Sequence, residues 1–138
     1  MKNLIYIFIL ALGVLSCQSD DLIEFDNSDL VGKWKLTEAF ISAGGPQYWV
    51  TVEDGEEFVF YGNGTFTSSK FSECAGGIFL IDSSKLILEF NCEGFESELE
   101  NEEGFITYKL EYESNHFIAT PTSGPICIEG CSYKYEKE

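Results

Sequence analysis

The residues of this 138-residue chain best suited to covalent chemistry are its five cysteines: Cys17, Cys74, Cys92, Cys127 and Cys131. Thiols kept reduced bind metals or attack electrophiles, whereas thiols in an oxidising compartment pair. The N-terminus decides between the two. Met1-Lys2-Asn3 is a short positive start, Leu4 to Leu15 is almost wholly apolar, and Ser16-Cys17 ends the run with small residues. This is the layout of a secretory signal, and it is too short for a bilayer-spanning helix. Export makes the four later cysteines a disulfide framework, for which three connectivities exist. Cys74 and Cys92 flank one hairpin-like unit, and Cys127-Ile128-Glu129-Gly130-Cys131 is a compact loop whose Gly permits a tight bend. The favoured pairing is therefore Cys74–Cys92 with Cys127–Cys131. Zinc would ask for closer spacings and reduced thiolates, so no metal is expected.

The rest of the chemical inventory is thin. His116 is the single histidine and opens a strand-like run beside Phe117, which suits a turn or edge position better than a general base. No nucleophile motif, phosphate-cradling glycine loop or zinc-protease helix motif is present. Glu93, Glu96, Glu98, Glu100, Glu102 and Glu103 crowd one loop without the ordered oxygen ligands of a calcium site, so they read as solvated charge. Asn63-Gly64-Thr65 matches a glycosylation sequon, but a hairpin turn explains it fully. Neither an enzyme nor a cofactor is expected.

Charge sharpens the exclusions. There are 24 acidic residues against eight lysines and no arginine, for a formal charge of -16. Such a chain is a poor partner for nucleic acid or an anionic membrane surface, and reads as soluble and self-repelling.

These residues must be positioned by strands. Gly32 and Trp34 open the first, Gly32 to Ile41, where glycine tolerates a tight turn into the strand and tryptophan buries a large area. Counting by two puts Leu36 and Phe40 on the same face as Trp34. Gln47 to Val52 is a loop or edge segment. Further strands follow at Glu56–Tyr61, Thr65–Phe71, Ile78–Asp82, Lys85–Cys92, Phe105–Tyr112, His116–Thr120 and Ser132–Glu136, with Gly62-Asn63-Gly64 a strong hairpin turn. Eight short strands and no helical stripe predict an all-β, antiparallel sandwich or up-and-down barrel. Eight is also the number at which a barrel closes around its own side chains or one small ligand.

The Gly32-x-Trp34 opening, with these strands, resembles the lipocalin and lipocalin-like barrels. The resemblance runs from about Leu30 to Glu136 and implies a small eight-stranded antiparallel up-and-down barrel. In that family an arginine near the last strand covers the tryptophan; here Lys134 or Lys137 would have to. A lumen would be lined by Phe58, Phe60, Phe66, Leu88, Tyr108, Tyr112 and Phe117. With no arginine to pair a carboxylate or phosphate, its ligand would be small, apolar and neutral or cationic.

Val14-Leu15-Ser16-Cys17 resembles the cleavage box of bacterial lipoproteins, in which the cysteine receives diacylglycerol and becomes the mature N-terminus. Gln18-Ser19-Asp20-Asp21 is similar to the surface-export signal of Bacteroidetes lipoproteins; a plain acidic linker is the other reading. Together they imply a signal peptide at 1–16, a lipidated N-terminus and acidic tether at 17–29, and a barrel domain at 30–138. Leu22, Ile23 and Phe25 are apolar enough for the tether to dock on the domain. The implied location is the cell envelope, anchored by lipid to the outer membrane and exposed at the surface if the export motif is read. Two functions fit: a lipid-anchored binder of a small apolar ligand, or a filled barrel acting as an interaction or structural module, its protein partner unnamed by the sequence. Intact mass of membrane-fraction protein should show diacylglycerol on Cys17, and Cys17→Ala should abolish processing; an unmodified mature N-terminus elsewhere would contradict the anchor.

Overall fold

The computed structural model describes residues 25–42, 44–125 and 131–138. One helical turn, α1 (Asn27–Leu30), precedes nine strands: β1 (Gly32–Ile41), β2 (Tyr48–Thr51), β3 (Glu57–Phe60), β4 (Thr65–Ser68), β5 (Gly76–Asp82), β6 (Lys85–Phe90), β7 (Ile106–Glu113), β8 (His116–Pro121) and β9 (Ser132–Lys137). Each strand pairs antiparallel with its neighbour, and β9 returns to β1. Eight strands, β1 and β3 to β9, thus close an up-and-down barrel. The ninth, β2, occupies the stretch expected as a loop or edge segment.

β1 carries two partners on one edge. Its first half pairs with β3, Trp34 opposite Phe58, and its second half pairs with β2, Phe40 opposite Trp49. β2 and β3 therefore lie end to end along it, separated by a break at Val52–Glu56. Gly55 makes the break fit, since a β-carbon there would lie 2.0 Å from the Leu36 carbonyl oxygen. On the other edge the register with β9 slips between Leu36 and Glu38. That bulge reverses the alternation. Ala39 is buried beyond it, and Phe40 pairs outside with Trp49 at a 5.2 Å centroid distance. The face expected to run Trp34, Leu36, Phe40 is corrected accordingly: a period-2 count cannot see an extra residue.

The turns β3–β4, β5–β6 and β7–β8 gather at one end, together with α1. Gly32 enters β1 with φ 135°, which glycine alone adopts readily. Asp26 caps α1: its carboxylate accepts from the Ser28 amide at 2.7 Å, and its own amide donates to Asp29 at 2.9 Å. Asn27 ties the turn to the barrel by accepting from the Ile81 amide at 2.7 Å. Leu30 and Trp34 are fully buried, and the indole N–H donates to the Leu30 carbonyl at 2.7 Å. Lys137 lies 5.4 Å from the Trp34 ring centroid and covers the indole, whereas Lys134 pairs outside with Glu38 at 2.9 Å.

From Trp34 the core continues as rings in contact. Trp34 meets Phe117 at 4.9 Å, Phe117 stacks on Tyr135 at 4.9 Å, and Tyr135 meets Phe58 at 5.4 Å. Phe60 packs on Phe79 at 4.8 Å and Phe66 on Phe90 at 5.0 Å. Such pairs add about 0.5–1.5 kcal/mol each beyond area burial. Trp34→Ala should therefore cost about 3–5 kcal/mol in denaturant unfolding, read in a Trp49→Phe background; a loss below about 1 kcal/mol would contradict the buried plug.

Candidate functional site at the open end of the barrel

The end opposite Trp34 carries the connections β1–β2, β2–β3, β4–β5, β6–β7 and β8–β9, and Glu56 and Lys70 come from them. Glu56 stands at the break before β3, and its main-chain carbonyl is fixed by the Leu36 amide at 2.9 Å. Its carboxylate receives both a hydrogen bond from the Tyr135 hydroxyl and the Lys70 ammonium, 3.2 Å from each oxygen. Lys70 is held in the β4–β5 connection, its amide donating to Ser68 Oγ at 3.0 Å. The Glu56 and Lys70 side chains remain 17% and 19% exposed, so the ion pair is reachable from solvent.

Three phenols surround this pair. Burial pushes the Tyr135 hydroxyl well above its ordinary titration range, and the nearby Glu56 charge pushes it further. Tyr108 is raised by the same two causes in the same order, with a smaller contribution from Tyr133. Among the described residues, neither the Tyr108 nor the Tyr133 hydroxyl has a hydrogen-bond partner, which leaves both to solvent or a bound molecule. Chemically, the cluster is a hydrogen-bonding floor with its one carboxylate already neutralised. It has no activated nucleophile and no free base.

The residues expected to line a lumen have a different fate. Phe58, Phe60, Phe66, Leu88 and Phe117 are at most 2% exposed, so almost no surface on them is left for water or a ligand. They are core. Tyr108 brings a hydroxyl to the open-end cluster, while Phe58 and Phe117 pack against its Tyr135 ring. Tyr112 lies half-buried at the closed end, against Phe25 at 4.5 Å, with its hydroxyl donating to the Asp29 carbonyl at 3.3 Å. Cys74 and Cys92 are joined, with Cα atoms 5.7 Å apart, linking the β4–β5 connection to the end of β6. Phe71, Phe90 and Phe95 pack together beside this bridge, Phe71 lying 5.0 Å from each of the others. Cys131 is also disulfide-bonded; Cys127 and Cys17 lie outside the described residues. The His116 ring lies 3.0 Å from Asn115 and 3.8 Å from Glu113, beside the β7–β8 turn.

Glu56, Lys70, Tyr133 and Tyr135 were not singled out in the sequence. Tyr133 and Tyr135 could have been, because alternation in the last strand places both on one face. Glu56 and Lys70 could not, since they are 14 residues apart and lie on irregular backbone.

No protein-family model matches the chain, and no curated protein matches it. Among solved structures, the chain is similar to a lipocalin-like protein from Bacteroides uniformis, at 18% identity over 80% of this chain and 99% of that one, with TM-score 0.48. It is also similar to an uncharacterized protein from Bacteroides eggerthii, at 16% identity over 79% and 99%, with TM-score 0.40.

The phenols fix the sign of an alkaline response. With folded-state values above the unfolded one, Tyr108 and Tyr135 contribute full stability below pH about 10, and that contribution is lost as pH rises beyond it and the unfolded chain ionises. Denaturation midpoints should fall above pH about 10, less steeply in Tyr135→Phe, and phenolate absorbance from both residues should appear only on unfolding. Ionisation of all tyrosines in the folded protein would contradict their burial.

Proposed function

We propose that this protein is a lipid-anchored cell-envelope module whose barrel is a filled scaffold, working through its surface rather than as a carrier or an enzyme. The observation behind this reading is the burial of the would-be lining. A pocket that holds a ligand must leave accessible surface on its walls when empty, and ligand sites run to about 300 Å³ or more. Phe58, Phe60, Phe66, Leu88 and Phe117 leave at most 2% each. The anchor rests on the signal-like N-terminus ending in Cys17 and on the lipoprotein box it resembles.

A second reading keeps a ligand, but moves it. The unpartnered Tyr108 hydroxyl and the part-exposed Glu56–Lys70 pair favour a small molecule with a polar end, seated at the open end over that floor. It would donate to or accept from Tyr108 and leave the rings beneath undisturbed. This differs from the wholly apolar ligand expected from the chain's aromatic content.

Native mass spectrometry of protein from its own envelope, with titration by an environment-sensitive apolar dye, separates the two. The filled scaffold predicts no co-purifying molecule and no dye uptake. A bound species displaced by Tyr108→Trp would give the function to the open-end site, and one insensitive to that change but lost on Phe60→Trp would restore the apolar lumen.

A further inference from the structure

The outer wall carries an apolar groove between β5 and β6, lined by Ile78, Phe79, Leu80, Ile87, Glu89 and Phe105. Leu80 and Ile78 are 53% and 46% exposed, and Leu80 stands directly opposite Ile87. The next row of the same wall is Lys85 opposite Lys109. Like charges facing each other across a sheet are unfavourable. Neither lysine has an ion-pair partner among the described residues, whereas Lys33, Lys70 and Lys134 each have one. Folding therefore leaves an apolar strip exposed to water beside two ammonium groups, with Asp82 standing opposite Lys85 on the other strand.

The chain's own course points to the occupant. Phe25, where the described domain begins, shares a shallow groove with Ser84, the neighbour of Lys85. Asp26, Asn27, Ser28 and Val31 share another with Leu80 and Ile81. Cys17 lies eight residues before Phe25, a span of at most about 29 Å when fully extended. A lipid on Cys17 would hold this wall within that distance of a bilayer at all times, so a weak contact would act as an intramolecular one.

We infer that the β5–β6 wall seats on the anchoring bilayer, with Ile78, Leu80 and Ile87 in the interfacial region and Lys85 and Lys109 on phospholipid phosphates. Asp82, Glu89 and Glu111 share the wall, so the contact is to the phosphate of any phospholipid and not to a strongly anionic surface. The barrel then lies on its side, with β1, β2 and Trp49 turned away from the membrane. This inference rests on the lipid anchor proposed above.

The test uses the lipidated protein in phosphatidylcholine–phosphatidylethanolamine vesicles carrying spin-labelled acyl chains. Leu80→Trp in a Trp49→Phe background should lose emission several-fold, while native Trp49 in the unsubstituted protein should not. Lys85→Gln with Lys109→Gln should weaken the quenching. Should Leu80→Trp misfold by circular dichroism, Ile78→Trp reads the same wall. Unchanged emission from protein that floats with the vesicles and carries diacylglycerol by mass would overturn the docking and leave the anchor standing. A mass without lipid would overturn both. A solution dimer dissolved by Leu80→Glu, with no quenching, would give the wall to a second copy and overturn the membrane contact.

Discussion

The burial of one indole organises the closed end of this barrel. Trp34 is too large to hide against strands alone, and its N–H needs a partner once water is excluded. The Leu30 carbonyl supplies that partner at 2.7 Å, which pins α1 across the barrel end. α1 in turn carries Asn27 to the Ile81 amide and Asp29 to the Tyr112 hydroxyl. Lys137 covers the remaining ring face. Removing the indole would take from α1 the hydrogen bond at Leu30 and from Lys137 and Phe117 the ring they pack on.

The rest of the interior follows from what must pack on that plug. An eight-stranded barrel has just enough width for side chains to fill it, and this chain supplies aromatic residues at inward positions of β3, β4, β5, β6, β8 and β9. Rings from strands next but one to each other touch, so the centre is occupied at the level of Trp34 and for some distance beyond. Polar chemistry is displaced to the opposite end, where longer connections bring in Glu56 and Lys70. Even there the carboxylate is neutralised by the ammonium and the Tyr135 hydroxyl, the arrangement a part-buried charge requires.

Much of the fold was legible because alternation is local. Leu86, Leu88 and Phe90 read as inward against Lys85 and Glu89, and they are; the first strand was legible to its ends. What escaped was non-local. The bulge after Leu36, which turns Phe40 outward, depends on β9 and on Gly55 nestling against the Leu36 carbonyl. Thr107 alternates as an outward residue yet is buried, because Ser123 folds over it and donates to Leu99 while accepting from the Thr107 amide. Aromatic periodicity placed Phe58, Phe60, Phe66 and Phe117 inward correctly and Phe40 wrongly, and carried no information on whether that face encloses space. Glu56 and Lys70 of the open-end cluster come from loops, where pattern gives no register at all.

Filled and hollow barrels differ most directly in their response to xenon, which enters dry apolar cavities. Crystals pressurised with the gas should show no bound atom among Phe58, Phe60, Phe66, Leu88 and Phe117, and unchanged rings. Ordered xenon at the centre of that group, without displacement of the side chains, would contradict the filled barrel.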